Sequence, residues 1–464
     1  MEEVGQWPVY AARLFRYAHF EAYYHNIVYT SLVRYTSQHR ENEGLYKHIR
    51  GIYNPVQRLV DLYVAKVYGG PLDLETLDGG AIPFAGLDDR LRTAILQTYT
   101  WSNWATKKSL YVRHGAMKGD TAIKIVDDRV RQQVRLEVLD PSKIKAVDRD
   151  EMGNAQSVEI EYERDDPVTG KSYTYTEIIT PQWFYTFKDG EPFAYVDDLT
   201  GEPVSEWPNE YGFVPLVVVE HKDLDLGWGA NAFHSQVRKI DELNDGASLL
   251  NDQLRKTINP VWYFAGVTKA DDLDASADDK DEMSAIYGPA DSEPAAMVAN
   301  IDAVAAGENL QAMLAELERD MPELALHRLR EAGNLTAPGV RAGYSDAIDR
   351  IVEARGNYDD GQVRALLMAL AIGGYNNYRG FEGFDLGVVT SGAVDFHIAE
   401  RPVIKDSLTR QQRLDYLLQS KAPATAVWTE LEVDEQTQNK WLDELASDRA
   451  AFDARLDADL ENAL

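Results

Sequence analysis

Trp207-Pro208-Asn209-Glu210-Tyr211-Gly212 is turn punctuation, and Val214-Pro215-Leu216-Val217-Val218-Val219-Glu220, directly after it, reads as a buried strand. A glycine-rich break follows at Gly227-Trp228-Gly229, and Phe233 through Thr257 then carries the spacing of a long helix. Ile258-Asn259-Pro260 stops that helix, because a residue before proline is pushed out of the helical region. Val261-Trp262-Tyr263-Phe264-Ala265-Gly266 resumes as strand. Turn, strand, break, helix and strand thus follow one another without interruption.

Outside this run, size and charge bound the class. A chain of 464 residues exceeds what one growing core accommodates, so two or more domains are expected. No apolar stretch approaches the roughly 18 residues of a membrane span, and Met1-Glu2-Glu3 lacks the basic start of a signal peptide. A soluble protein that stays where it is made is expected, with no membrane partner. The absence of cysteine removes disulfides, thiolate metal sites and thiol catalysis, and suits a reducing compartment. A formal charge of -30 contradicts tight wrapping of nucleic acid, which needs a basic surface to release counterions. It fits two other situations: plain solubility, or an acidic wall past which a polyanion slides without sticking.

The fold class reads as α+β. Residues 7–68 crowd Tyr10, Phe15, Tyr17, Phe20, Tyr23, Tyr24 and Tyr29 into helix-compatible sequence, which predicts helices around a tyrosine-rich core. Leu91, Ala94, Ile95 and Tyr99 predict one helix from about Asp88 to Arg113, ended by Gly115. From Ala122 to Val196 the period turns to alternation. Strands are predicted at 123–126, 134–139, 158–163 and 173–178, the last two as a hairpin, with 183–187 and 193–196 extending the meander.

Residues 268–300 are the most acidic and least periodic part of the chain, and predict an exposed loop or subdomain. Leu310, Met313, Leu314 and Leu317 mark a second amphipathic helix that stops near Pro322. The pattern lapses over 331–340 and returns at Tyr344, Ile348, Ile351 and Val352. Gly356 and Gly361 are expected to break it again before 363–370. Leu414, Tyr416, Leu417, Leu418, Trp441, Leu442 and Leu445 predict a helical C-terminal segment.

Chemical motifs fail in their context. Gly227-Trp228-Gly229-Ala230-Asn231-Ala232 fits a Gly-x-Gly-x-x-Ala fingerprint, but six residues separate it from Glu220 where a tight turn is required. Gly170-Lys171-Ser172 imitates a P-loop end, yet Asp165 stands where its first glycine belongs and strands flank it on both sides. Asp271 and Glu282 fit the ends of a calcium loop that lacks its third ligand and its sixth-position glycine. No catalytic, cofactor or metal residue is assigned, although paired distant carboxylates of a hydrolase would leave no local signature.

The run from 207 to 267 resembles the passage of a tailed-bacteriophage portal protein from wing through stem into clip. The segment 53–71, a helix ending at Gly69-Gly70-Pro71, resembles the early portal helix. Val394-Asp395-Phe396-His397-Ile398-Ala399-Glu400-Arg401-Pro402 resembles the strand leading into the crown. The resemblance implies an N-terminal wing at 1–232, stem helices at 233–257 and 303–321, and a small α/β clip at 258–302. It further implies a second wing part at 322–402, with a tunnel loop at about 331–340 and a long kinked helix, and a helical crown at 403–464. It implies a ring of roughly a dozen copies at one capsid vertex, closed by rotation. Double-stranded DNA, the terminase large subunit, head-completion or adaptor proteins, and major capsid and scaffolding proteins are the implied partners, in a virion assembled in the host cytoplasm. Asn334, Leu335 and Thr336, with Arg328, Arg330 and Arg341, are the implied tunnel-loop contacts. Arg238, Lys239, Arg255 and Lys256 are basic stem candidates, either toward the channel or in salt bridges between subunits. Asp278, Asp279, Asp281 and Glu282 are either a clip docking surface or a solvated charge run. An adaptor or minor capsid protein and an acidic hydrolase are the alternatives.

Overall fold

The N-terminal tyrosines lie in α1 (Tyr10–Tyr24) and the short α2 (Val28–Ser31), against which α3 (Val56–Val67) packs. Tyr17, Tyr23, Tyr63 and Tyr68 are buried, which is the tyrosine-rich core the sequence predicts. The protein is seen in a computed structural model that describes residues 10–31, 52–166, 170–196, 201, 203–258, 261–265, 285–288, 295–297, 303–330, 344–391, 394–403, 414, 427–428, 437–438 and 440–447. The chain divides into a main body, Met1–Arg328 with Asp346–Arg401, and a second unit, Leu329–Ser345 with Pro402–Leu464.

After the two-residue strand β1 (Phe84–Ala85) come two helices where the sequence predicts one. Asp88 accepts from the Leu91 N–H and starts α4 (Asp89–Trp101). The chain breaks at Asn103, which sits at φ 49°, a left-handed conformation that asparagine tolerates better than most residues. α5 (Trp104–Lys118) then runs through Gly115, which does not end it: a Cβ there would stand 2.1 Å from Tyr358 Oη. The helix ends at Gly119, whose φ of 104° suits glycine.

Two antiparallel sheets follow. β2 (Asp120–Asp128) pairs with β3 (Gln133–Leu139). β4 (Ile144–Arg149), β5 (Ala155–Asp165), β6 (Ser172–Ile179), β7 (Trp183–Lys188) and β8 (Glu206–Pro208) form a second sheet in the order β8-β7-β6-β5-β4. Asp165 pairs with Ser172, so Gly170-Lys171-Ser172 belongs to a hairpin. The meander departs from expectation at one point: Tyr195–Val196 pairs with Pro203–Val204 in a separate ribbon, and only Glu191–Pro192 joins β7. β9 (Leu216–Glu220) adds to the first sheet beside β2, with Leu216 opposite Lys124. The sheets meet over Ala122, Leu139, Ile144, Val158, Ile160, Ile179, Val214, Leu216, Val218 and Trp228. Alternation places these residues on the inner faces.

Beyond the sheets lie α6 (Val237–Ile258), a small sheet and α7 (Ala303–Asp320). In the small sheet β10 (Val261–Ala265) is parallel to β11 (Ala285–Gly288) and antiparallel to β12 (Ala295–Met297). Short strands thus stand within the acidic segment for which the sequence predicts an exposed loop or subdomain; its other residues lie outside those described. A 3₁₀ segment, Pro322–Arg330, follows α7 as the proline predicts.

α8 (Ser345–Tyr375) is continuous over 31 residues, which corrects the expected breaks at Gly356 and Gly361. Gly361 is needed for contact, not for bending: a Cβ there would meet Val219 Cγ2 at 2.2 Å and Tyr111 Oη at 2.7 Å. A short α9 (Gly387–Ser391) precedes β13 (His397–Ile398), which pairs with β1 and is all that forms of the strand expected over 394–402. In the second unit, residues 440–447 are helical, and Trp441 meets Trp428 edge to face at 5.2 Å. The rest of the predicted crown lies outside the described residues.

These glycines make opposite predictions. Gly361→Ala is expected to lower stability by about 1–3 kcal/mol through overpacking, despite alanine's better helix propensity. Gly356→Ala has nothing within 4 Å and should raise stability by about 0.4–1 kcal/mol. Denaturant midpoints at unchanged slope read both, and a stabilised Gly361→Ala would refute the packing account.

Candidate functional site

α6 and α7 form an antiparallel arm. Lys239 Nζ donates to Glu316 Oε1 at 2.6 Å and Asp320 Oδ2 at 2.7 Å, whereas seven residues further along α6 a Cβ on Gly246 would meet Leu310 Cδ2 at 3.2 Å. The contact therefore runs backward along α7 as it advances along α6. α6 begins four residues later than Phe233, where the sequence expects it, because Phe233 is drawn into the body, edge to face with Phe20 at 5.5 Å. Its first half is anchored by Ile240, Leu243, Asn244 and Ser248, all buried. Asn244 alone accepts from the Ile52 and Tyr53 N–H groups and donates to Tyr29 Oη and Tyr53 O. Leu249, Leu254 and Val304 are exposed, at 43%, 38% and 72%.

The loop between β9 and α6 is held by buried charge. Asp120 and Glu220 stand directly opposite on β2 and β9. Asp120 is fully buried, accepts from Tyr17 Oη at 2.6 Å and from the Gly229 N–H at 2.7 Å, and its carboxyl is pushed up to about 7 by burial, with the nearby Glu220 adding to the shift. Arg149 pairs with Glu220. The glycine fingerprint at 227–232 therefore offers its Gly229 amide to a carboxylate of its own chain, and Gly229 lies so near Gly119 that a Cβ on either would reach within 2.4 Å of the other's carbonyl oxygen. Burial also pushes His221 down to about 3 and His114 down to about 4.

A second polar hub closes the end of α3. Lys108 Nζ donates to the carbonyls of Tyr68 (2.6 Å) and Gly70 (2.8 Å), Arg355 Nη2 to Lys66 O (2.5 Å), and Arg401 Nη2 to Val67 O (3.1 Å). Arg401 also binds both carboxylate oxygens of Asp359 at 3.0 Å. These residues were not singled out from the sequence; Arg355 and Asp359, one helical turn apart before a lone Arg401-Pro402, are the only local trace.

Of the residues that were singled out, Arg238 and Lys239 lie in the first turn of α6. Lys239 pairs with Glu316 and Asp320 of its own chain. Arg255 and Lys256 lie near the end of α6 and Arg328 and Arg330 near the end of the 3₁₀ segment, their side chains outside the described residues. Asn334, Leu335, Thr336, Arg341, Asp278, Asp279, Asp281 and Glu282 also lie outside the described residues, as does the rejected calcium register. Among the described residues no group of three or more His, Asp or Glu is placed to hold a metal, and no helix is long and apolar enough to cross a membrane.

The described residues thus comprise a body of helices and antiparallel sheets, an antiparallel helix arm with a small sheet between its helices in chain order, and a long helix returning to the body. The family model described as "Phage portal protein, SPP1 Gp6-like" matches residues 7–449 of the 464, and the chain belongs to that family. No curated protein matches the chain. Portal proteins are structural components of the capsid vertex that assemble into rings and serve DNA packaging. With the family shown, the adaptor, minor-capsid and hydrolase readings have no observation in their favour.

Asp120 supplies a pH prediction. Its folded pKa is raised above the unfolded carboxyl, so its contribution is fully present below about pH 4 and is lost as pH rises toward 7. His114 and His221, held neutral, act oppositely between their depressed values and 6.5. The clean measurement is a difference: stability of the native protein minus that of Asp120→Asn should fall by up to about 1.4 kcal/mol per pH unit between pH 4 and 7, and be flat above. A pH-independent difference would show that Asp120 is ionised throughout.

Proposed function

We propose that about a dozen copies of this chain close into a ring with α6 and α7 lining an axial channel for double-stranded DNA. The observation that carries this reading is the arm itself: two antiparallel helices, anchored to the body through the first half of α6, with Leu249, Leu254 and Val304 exposed in the single chain. Apolar side chains on an arm of this kind are covered when neighbouring arms stand side by side. The two helices carry five basic and eight acidic side chains, so the lining is net acidic and DNA passes it without the counterion release that would hold it. Lys239 is paired within the arm; Arg238, Arg255 and Lys256 are the other proposed stem cations on α6, and Arg319 is the one basic residue of α7.

The sheet β10-β11-β12 with the acidic run Asp278, Asp279, Asp281 and Glu282 is the docking end for the terminase large subunit and then for head-completion proteins. Residues 331–340, with Asn334, Leu335 and Thr336, and the flanking Arg328, Arg330 and Arg341, form the tunnel loop nearest the DNA. Assembly takes place in the host cytoplasm, with capsid and scaffolding proteins as partners. Family membership and the order of elements along the chain support these assignments.

Electron micrographs of the purified chain should show closed rings with an open axial bore. Replacing Leu249, Leu254 and Val304 together by Ser should raise the concentration needed for ring formation by at least about tenfold, with the monomer still folded. A chain that stays solitary at every concentration, or rings with a blocked bore, would overturn the proposal.

A further inference from the structure

At the root of the arm one arginine faces two acceptors. Arg350, in the second turn of α8, donates through Nη1 to the carbonyl of Asp320, the last residue of α7, at 2.9 Å. The same nitrogen stands 3.6 Å from Glu323 Oε1, outside hydrogen-bond range. Glu323 is only 2% exposed; its Oε1 accepts from Tyr63 Oη on α3 at 2.8 Å, and its Oε2 is buried with no donor among the described residues. A polar cavity of about 50 Å³ adjoins the pair, walled by Tyr63, His221, Glu323, Arg350, Glu353 and Ala354 among others. Arg350 is itself 46% exposed, so its guanidinium is not packed in place.

A buried carboxylate oxygen without a donor is an unfavourable state, and the nearest cation is already committed to a weaker, uncharged acceptor. We propose that Arg350 is a two-position coupling residue: on the Asp320 carbonyl it pins the end of α7, and on the Glu323 carboxylate it releases that helix end and joins α8 to α3. The pinned end is also where Lys239 of α6 holds the side chains of Glu316 and Asp320, so the exchange reaches both helices of the arm. The inference rests on the portal reading for its purpose, since releasing the end of α7 then alters the channel lining. The geometry itself does not depend on that reading.

The test is hydrogen exchange of amides in 316–324 and 345–352, in the full-length protein as purified, with assembly followed separately by micrographs. Arg350→Ala should speed exchange at the end of α7 by about tenfold, and Arg350→Lys should restore part of it. Glu323→Gln removes the competing charge, leaves Arg350 on the carbonyl, and should leave exchange at 316–324 equal to or slower than in the native protein. The double variant should behave as Arg350→Ala alone, so that any slowing seen in Glu323→Gln disappears once Arg350 is absent. Unchanged exchange in Arg350→Ala, or a Glu323→Gln variant that loosens α7 as much as Arg350→Ala does, would overturn the proposal. If Arg350→Ala fails to fold, Arg350→Lys and Arg350→Gln carry the same comparison. Absence of rings in the native protein would count against the channel, not against this exchange.

Discussion

Helix α3 ends inside the protein, and the carbonyls of its last turn must find donors there. Water cannot supply them, so cations do: Arg355 takes Lys66 O, Arg401 takes Val67 O, and Lys108 takes Tyr68 O and Gly70 O. Positive charge is favoured at a helix C-terminus, and a hydrogen bond to a charged group contributes roughly 1.5–3 kcal/mol, against a total stability of about 5–15 kcal/mol for a domain. No single donor is dispensable on that scale. Each comes from a different element, α5, α8 and the segment just after β13, so the end of α3 can be satisfied only when all three are docked. Three cations together would repel; Asp359 neutralises Arg401 through two 3.0 Å bonds, and the guanidinium carbon of Arg401 lies 5.4 Å from the centroid of the Tyr68 ring.

That arrangement explains how the arm can be an excursion from the body without weakening it. The chain leaves the body after β9 and returns at α7 and α8, and the clamp fastens the returning elements to α3 and α5, which precede the excursion. The departure point is fastened differently. Asp120 and Glu220 face each other across β2 and β9, a like-charge juxtaposition that is unfavourable unless one proton is kept or the charges are paired. Both remedies are present: burial favours the protonated Asp120, and Arg149 pairs Glu220. The close approach of Gly119, at the end of α5, to Gly229, in the loop after β9, leaves no room for a side chain between them, which is why both positions are glycine.

Sequence periodicity carried most of the elements. The β5–β6 hairpin, strands β2, β3, β7 and β9, the stop of α6 before Pro260 and the stop of α7 before Pro322 were legible, because alternation, proline and turn chemistry act locally; β4 went unread, and β8 lies where Trp207-Pro208 was read as turn. Glycine was misread three times: Gly115 and Gly361 serve as absent side chains against neighbours far away in sequence, while Gly356, with nothing within 4 Å, is carried within a helix whose other residues hold it. The break between α4 and α5 has the converse cause, since Asn103 turns the chain with neither glycine nor proline. The sites were less legible than the elements. The donors at α3 lie between 38 and 334 residues from their acceptors, and no local motif can encode pairings of that kind. Lys239 was singled out as a basic candidate, but its pairing with Glu316 and Asp320 was not legible, because those acids come beside it only once α7 folds back.

The folding back of α7 also bears on what an acidic conduit requires. A lining that repels phosphate must tolerate its own excess of like charge, and the arm does so unevenly. Near the root, Lys239 is placed between Glu316 and Asp320, and Arg350 reaches the Asp320 carbonyl, so charge is balanced where the helices join the body. Further out the contact passes to Gly246 against Leu310, a small residue against a large one, where dispersion and close approach hold the helices without charge. Root and outer length are thus held by different means, by fixed charge pairs at the one and by apolar close approach at the other, and Asp320, Glu323 and Arg350 stand at the charged end.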